Sequence, residues 1–272
     1  MGSALVGWLL LLLFVGVLAL RALSLDPSPP PPSAPATGRR QGPVASFSAW
    51  GGTAYSFGLL ENALTLHQFY PHYTLVAYVC RETCDHRVLG ALADLAHVRL
   101  IPFDSRSEHG MLSRFRPAVE WDCEVVVVRD ADSRFSASEK GAVDNWLKSG
   151  KAFHIMRHHP GHWGKILGGM FGALGTFLSP TRADFDRALA RNARDHGDDM
   201  NYLEEAVYPM LTKSNSVIHS LEVYRTEAWA EAFPDGEPRL TGEDAEFVGK
   251  DVYTAPKAAA LLGLDPSMTL SR

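Results

Sequence analysis

The sequence predicts an α/β protein with a mostly parallel sheet and helices on both faces. Three observations carry this. Strand-like and helix-like segments alternate along the chain from Val44 onward. Such alternation is the pattern of βα units. Val125 to Val128 form an unbroken apolar run, as expected of a central parallel strand buried on both faces. That run ends in Arg-Asp-Ala-Asp-Ser-Arg, Arg129 to Arg134, where a strand of an open α/β sheet delivers its functional residues.

The elements follow in order. VASFSAW, 44–50, reads as a short strand. In 55–71, Phe57, Leu60, Leu64 and Phe69 recur close to helical spacing. YTLVAYVC, 73–80, is a strand, and 85–98 is a helix with Val88, Leu92 and Leu95 on one face. VRLIPF, 98–103, is a strand, and GMLSRFRPAV, 110–119, is a short helix cut by Pro117. After the valine strand, Ser136 and Glu139 form a capping box that opens a helix through Lys148, and Gly150 ends it. AFHIMRH, 152–158, is a further strand.

The 272 residues carry a net charge of -5, with 46% apolar and 21% charged residues. This is a globular composition, and its mild acidity gives no reason to expect nucleic acid. Ala4 to Leu20 is uncharged and almost wholly apolar. As a helix it spans about 26 Å, close to the hydrocarbon thickness of about 27 Å in the endoplasmic reticulum. Residues 1–25 therefore read as a membrane anchor, with a cleaved signal peptide as the alternative. The proline-rich stretch 26–43 reads as a stiff, extended spacer, which leaves 44–272 as the folded body. Arg21, Arg39 and Arg40 follow the apolar run, and by charge alone they place the body in the cytosol. Cys80, Cys84 and Cys123 match no zinc pattern. In an oxidising lumen one pair can bridge and one thiol is left over; in the cytosol all three are free.

Two carboxylates at i and i+2, leaving a buried strand, can face one cation. The oxygen-only pair Asp130 and Asp132 suits Mg²⁺ or Mn²⁺, with phosphate oxygens and water completing the shell. The plain alternative is a surface turn in which both pair with Arg129 and Arg134. Another is a phosphatase of the haloacid dehalogenase kind, but that family places its motif on the first strand. The histidines His154, His158, His159 and His162 invite a zinc reading, but Pro160 and Gly161 break any helical face. Gly168-Gly169 lets backbone approach a ligand closely, and Arg157, His158 and Lys165 then lie near a phosphate or sugar.

On these residues the chain resembles a group of glycosyltransferase-like proteins of the GT-A fold, the Rossmann-like fold of nucleotide-diphospho-sugar transferases. RDADSR (129–134), MRHHP (156–160) and ILGGMFG (166–172) are similar to that group's motifs. So are YSFGLLENA, FYPHYTLVAY and MLSRFRPA upstream, and DDMNYLEEAVYP, SVIHS and FVGKDVY downstream, the last as a closing strand. The resemblance covers most of 45–253. The chain departs from the group at His158 and Ser220, where the group has Asp, and at Asp198-Asp199, where it has Gln-Asp.

The resemblance implies a nucleotide-sugar donor, a glycan, protein or lipid acceptor, and Mn²⁺ or Mg²⁺ on Asp130 and Asp132, with His219 as third ligand. A lone histidine at a strand end is the other reading of His219. Arg114, Arg129, Arg134, Arg157, His158, Lys165, Gly168 and Gly169 are implied around the donor. Asp199, or else Asp198, is the implied catalytic carboxylate, while plain helix capping explains the same two residues. Glu243-Asp244 is a weaker base candidate. Anchor, spacer and body together match a type II protein of the Golgi or endoplasmic reticulum, its domain lumenal. That layout is set against the charge rule. A non-catalytic sugar- or partner-binding relative is the alternative function.

Overall fold

Among the described residues seven strands build one sheet, β1 (Val44–Ala49), β2 (Thr74–Val79), β3 (Val98–Pro102), β4 (Cys123–Arg129), β5 (Phe153–Arg157), β6 (Met170–Gly175) and β7 (Ser216–Ser220). Their order is β3-β2-β1-β4-β6-β5-β7 in this computed structural model. It describes residues 40–106, 109–191, 197–222, 225–236, 238 and 246–271. The anchor 1–25, most of the spacer and Glu243-Asp244 lie outside the described residues. No helix among the described residues is long and apolar enough to cross a membrane.

The mostly parallel α/β sheet is as expected. β1 pairs in parallel with β2 and β4, β2 with β3, and β5 with β7. One strand departs from the expectation. β6 runs antiparallel between β4 and β5, in a stretch to which the sequence assigns no strand. Its sequence MFGALG carries too few β-branched residues to announce a strand, and its two neighbours supply the pairing. FVGKDVY forms no strand. Val252 instead donates its N–H to the carbonyl of Asp132 at 2.7 Å, and Arg134 bonds the carbonyls of Val252 and Thr254. The closing segment is laid against the motif loop.

Helices cover both faces. On one side lie α1 (Thr53–Phe69), α2 (His86–Ala93), α5 (Ala137–Ser149) and α8 (Pro256–Leu261). On the other lie α3 (Gly110–Ser113), α4 (Arg116–Glu120), α6 (Arg182–Ala190) and α7 (Asp198–Tyr202). Val126 and Val128 face the second layer with Phe115 and Phe171, and Val125 and Val127 face the first with Phe57 and Trp146. This explains the valine run. Each side chain is removed from water whichever way it points, for about 1.5–3 kcal/mol apiece.

Local chemistry sets the ends. Ser136 Oγ accepts from the N–H of Glu139, and Gly150 closes α5 at φ 67°. Pro117 does not cut a helix but sits in the first turn of α4, where its missing N–H has no partner to lose. Gln41 bonds residues on either side of Cys123. All three cysteines are free and buried. Burial pushes the thiols of Cys84 and Cys123 up to about 12, so neither is a ready nucleophile.

Candidate functional site

The strand order places the site. From β1 the chain winds outward to β2 and β3, and β4 then returns to the other side of β1. Sheet direction of travel reverses there, and the crevice beyond the carboxyl ends of β1 and β4 is where open α/β sheets bind ligands. Asp130 stands one residue past β4.

The motif loop is fixed on α1. A side chain at Gly58 would meet the carbonyl oxygen of Ala131 at 2.2 Å, so only glycine lets the loop sit so close. Asn62 donates to the carbonyls of Ala131 and Ser133 at 3.3 and 2.8 Å. Arg134 donates to the same two carbonyls. Arg134 is therefore a brace of the loop as well as a wall of the neighbouring cavity.

At the centre Arg114 joins two carboxylates. Its Nη1 lies 2.6 Å from Asp130 Oδ1 and its Nη2 2.8 Å from Asp199 Oδ2. The guanidinium and Asp199 are buried, whereas the Asp130 side chain is 37% exposed. Burial alone depresses an arginine, but the charges of Asp130, Asp199 and Asp132 outweigh it and raise Arg114. Ser46 on β1 holds the Arg114 carbonyl at 2.6 Å.

The glycine pair belongs to this centre. β6 meets β4 with Met170 opposite Arg129, so the two residues before Met170 fall beside Asp130. A Cβ on Gly168 would stand 2.0 Å from Asp199 Oδ2, and one on Gly169 1.9 Å from Asp130 Oδ2. The close approach expected for Gly168 and Gly169 is present, but what approaches is the protein's own carboxylates. Arg114, Asp130, Asp199 and the adjacent pair Gly168-Gly169 thus converge from four separate stretches of sequence.

Asp132 is also buried. Burial, then the charges of Asp130 and Asp251, push its carboxyl up to about 6. Arg114 pairs directly with Asp130 and Asp199, and the charges of both Arg114 and Arg134 reach Asp132. Asp251 was missed from sequence; nothing in FVGKDVY marks it apart from its carboxylate.

Other expected site residues have structural roles. Arg129 is buried against Glu139 at 2.7 Å and bonds the carbonyls of Val128 and Phe171; it ties β4 to α5 and β6. Arg157 makes a two-pronged pair with Glu227 at 2.7 and 2.9 Å and bonds the Lys165 carbonyl. Arg157 thereby holds the loop after β5, and Tyr208 also donates to Glu227 at 2.7 Å. The Lys165 ammonium lies 4.8 Å from the centre of the Tyr208 ring. His158 is buried, stacked on Phe233 at 3.8 Å, and its Nδ1 accepts from the Val248 N–H. It forms part of the wall of a cavity of about 850 Å³ beside the motif loop.

His219 is not brought to Asp130 and Asp132. It lies on β7, three strands from β4, which is roughly 14 Å at ordinary strand spacing. Its Nδ1 is 2.7 Å from His154 Nε2, and burial pushes it down to about 4. A buried histidine pair between neighbouring strands explains it. Asp198 and Asp199 are separated by the turn of α7. Asp199 faces the centre, while Asp198 lies 3.6 Å from His109 Nε2. No group of three or more His, Cys, Asp and Glu side chains able to hold a metal occurs among the described residues.

No family model matches the chain, and no curated protein matches it. Solved structures of similar fold include the galactosyltransferase LgtC in complex with donor and acceptor sugar analogues, at 12% identity and TM-score 0.40 over 65% of this chain and 73% of that one. A second is the 4-diphosphocytidyl-2C-methyl-D-erythritol synthase of Anaerococcus prevotii, at 12% identity and TM-score 0.40 over 61% and 83%. A third is the mannosyltransferase PcManGT of Pyrobaculum calidifontis in complex with GDP-Man and Mn²⁺, at 16% identity and TM-score 0.34 over 60% and 51%.

Proposed function

We propose that this chain is a metal-dependent glycosyltransferase that moves a sugar from a nucleotide-sugar donor to a glycan, protein or lipid acceptor. The observation that carries the reading is the Asp130–Arg114–Asp199 bridge at the crevice beyond β1 and β4, packed against Gly168 and Gly169. It supports a site for an anionic, phosphate-bearing donor held through a cation.

The residues fit a divalent ion. Asp130 gives only one oxygen to Arg114, and Asp132 is buried beside other negative charge. Two carboxylates are the number Mg²⁺ takes when substrate phosphates and water fill the remaining positions, and Mn²⁺ suits the same oxygens. When bound, the cation neutralises charge on the departing nucleoside diphosphate.

The chain's own residues do the rest. Arg114 fixes the carboxylates of Asp130 and Asp199 relative to each other, so that the metal side and the catalytic side of the crevice keep one geometry. Asp199, paired with Arg114 at 2.8 Å, is the carboxylate for the acceptor hydroxyl or the anomeric centre. Asp198 is left to the helix end and His109. The buried loop brace of Asn62 and Arg134 keeps Asp130 and Asp132 in register with α1.

The test is Mn²⁺-dependent binding and hydrolysis of a panel of UDP- and GDP-sugars by the full chain. Turnover of one donor, lost in Asp132→Asn, is expected. A folded chain that binds no donor with or without Mn²⁺ refutes the transferase and favours a non-catalytic relative. We also propose the type II secretory-pathway layout, with the body in the lumen of the Golgi or endoplasmic reticulum. Protease protection of the body in sealed microsomes is the expected result, and digestion from the cytosolic side refutes it.

A further inference from the structure

Trp163 differs from the other described tryptophans. It is 75% exposed, whereas Trp121 and Trp146 are buried and Trp50 and Trp229 pack on the core. A bare indole costs apolar hydration, and large aromatics are highly buried on average.

The exposure is not that of a loose loop. In the segment joining β5 to β6, His158 N–H donates to His162 Nδ1 at 3.1 Å, His162 N–H donates to the His159 carbonyl at 2.8 Å, and Gly161 N–H donates to His159 Nδ1 at 2.9 Å. The His159 ring stacks on Phe247 at 4.1 Å. Past Trp163, Lys165 N–H donates to Glu204 and its carbonyl accepts from Arg157. Residues on both sides of the tryptophan are tied down, and Gly161 and Gly164 carry no side chain to cover its ring.

The loop also stands at the site. β5 and β4 run the same way, since each is antiparallel to β6, so the segment leaves the sheet at the edge that carries Asp130. A side chain at Gly164 would meet Met200 Sδ at 3.5 Å. Met200 follows Asp199 on α7, and Gly168 of the same loop packs on Asp199 itself. Trp163 therefore precedes a residue that lies against the helix carrying Asp199.

We propose that Trp163 is the stacking platform for a sugar ring of the acceptor, which makes the acceptor a glycan. This rests on the transferase reading. One face of a pyranose presents C–H groups with little hydroxyl, and the negative face of an indole attracts those polarised hydrogens while shielding the apolar patch from water. A single ring bordered by His162, Gly161, Gly164 and Lys165 suits that task. Membrane insertion and a protein hot spot draw on a broad cluster of apolar side chains around the anchor; here the residues on either side of the ring are His162 and Gly164, with Leu167 and Met200 next to Gly164.

The experiment uses the full chain carrying 5-fluorotryptophan, with the Trp163 ¹⁹F resonance identified by its loss in Trp163→Phe. Neutral tetrasaccharides of β-1,4-glucan, chitin, α-mannan and β-galactan are titrated one at a time, and phosphatidylcholine vesicles form a separate arm. A saturable shift of that resonance with at least one tetrasaccharide is expected. Calorimetry is expected to show binding weakened about tenfold or more in Trp163→Ala, which corresponds to about 1.4 kcal/mol, and largely kept in Trp163→Phe. The inference is overturned if no tetrasaccharide moves the resonance, if one binds Trp163→Ala as tightly as the parent, or if only the vesicles move it. Donor binding by the unsubstituted chain is measured in parallel. Donor binding without saccharide binding removes the platform alone; saccharide binding without donor binding removes the transferase reading and leaves a sugar-binding surface.

Discussion

Adding one methyl group at Gly169 tests whether the carboxylate geometry depends on the glycine pair. The new Cβ would lie 1.9 Å from Asp130 Oδ2, 2.3 Å from its Cγ and 2.8 Å from its backbone nitrogen. The carboxylate must retreat by about 1 Å or more to reach a tolerable contact. That takes Oδ1 out of hydrogen-bond range of Arg114 Nη1, now at 2.6 Å. Overpacking costs about 1–3 kcal/mol, and loss of a buried partner costs about 3–5 kcal/mol. Asp130 is partly hydrated, so water recovers part of the second figure, and a total loss of about 2–4 kcal/mol is expected. Urea unfolding of Gly169→Ala, Asp130→Ala and the double variant gives the number, and the double variant should cost at least about 1 kcal/mol less than the two singles together. Gly141→Ala, where an added Cβ meets nothing within 4 Å, should instead gain about 0.5–1 kcal/mol. In the activity assay, a 1 Å shift of Asp130 lowers Mn²⁺-dependent donor turnover by about 100-fold. If Gly169→Ala costs the same with and without the Asp130 carboxylate, the clash is not the cause and the reasoning fails.

Replacing Arg114 by Met leaves Asp130 and buried Asp199 without their shared cation; unfolding free energy should fall by about 3–5 kcal/mol, and a melting temperature equal to wild type would refute the clamp. Glu227 is held down to about 2; burial opposes ionisation, but the bonds from Arg157 and Tyr208 prevail. A depressed carboxyl stabilises the fold above its unfolded value near 4.5 and loses that contribution as pH falls toward 2, here about 3 kcal/mol. Thermal melts from pH 5 to 2 should show this slope in the parent and a flatter one in Glu227→Gln. His219 acts in a higher window. Its folded value near 4 lies below the ordinary 6.5, so the unfolded chain binds the extra proton and stability falls as pH drops from 6.5 to 4. A His219 imidazole that titrates near 6.5 by NMR contradicts its burial against His154.

Much of the fold was legible because its signals are local. The valine run, the Ser136–Glu139 box and Gly150 mark β4 and α5 by side chains that act within a few residues. β6 was not legible, since a strand built from Met170, Phe171, Gly172, Ala173, Leu174 and Gly175 is defined by its partners β4 and β5. The candidate site divides in the same way. Asp130, Asp132 and the glycine pair stood out in sequence by type and spacing. The roles of Arg129 and Arg157 did not, because their partners Glu139 and Glu227 lie 10 and 70 residues away, and an arginine beside an acidic motif looks the same whether it meets a phosphate or a buried glutamate.

By itself, then, the sequence determined the alternation of strands and helices, the burial of β4 on both faces, and the delivery of two aspartates at that strand's carboxyl end. These follow from hydrophobic pattern and capping chemistry, which need no distant partner. Tertiary structure alone decided that Asp199 rather than Asp198 turns inward, that Arg114 joins it to Asp130, and that His219 stays three strands away. Those outcomes depend on strand order and on which side chains share a buried charge. Pairing across the fold fixes both, because an ionised group taken from water must find its counter-charge wherever the chain has placed it.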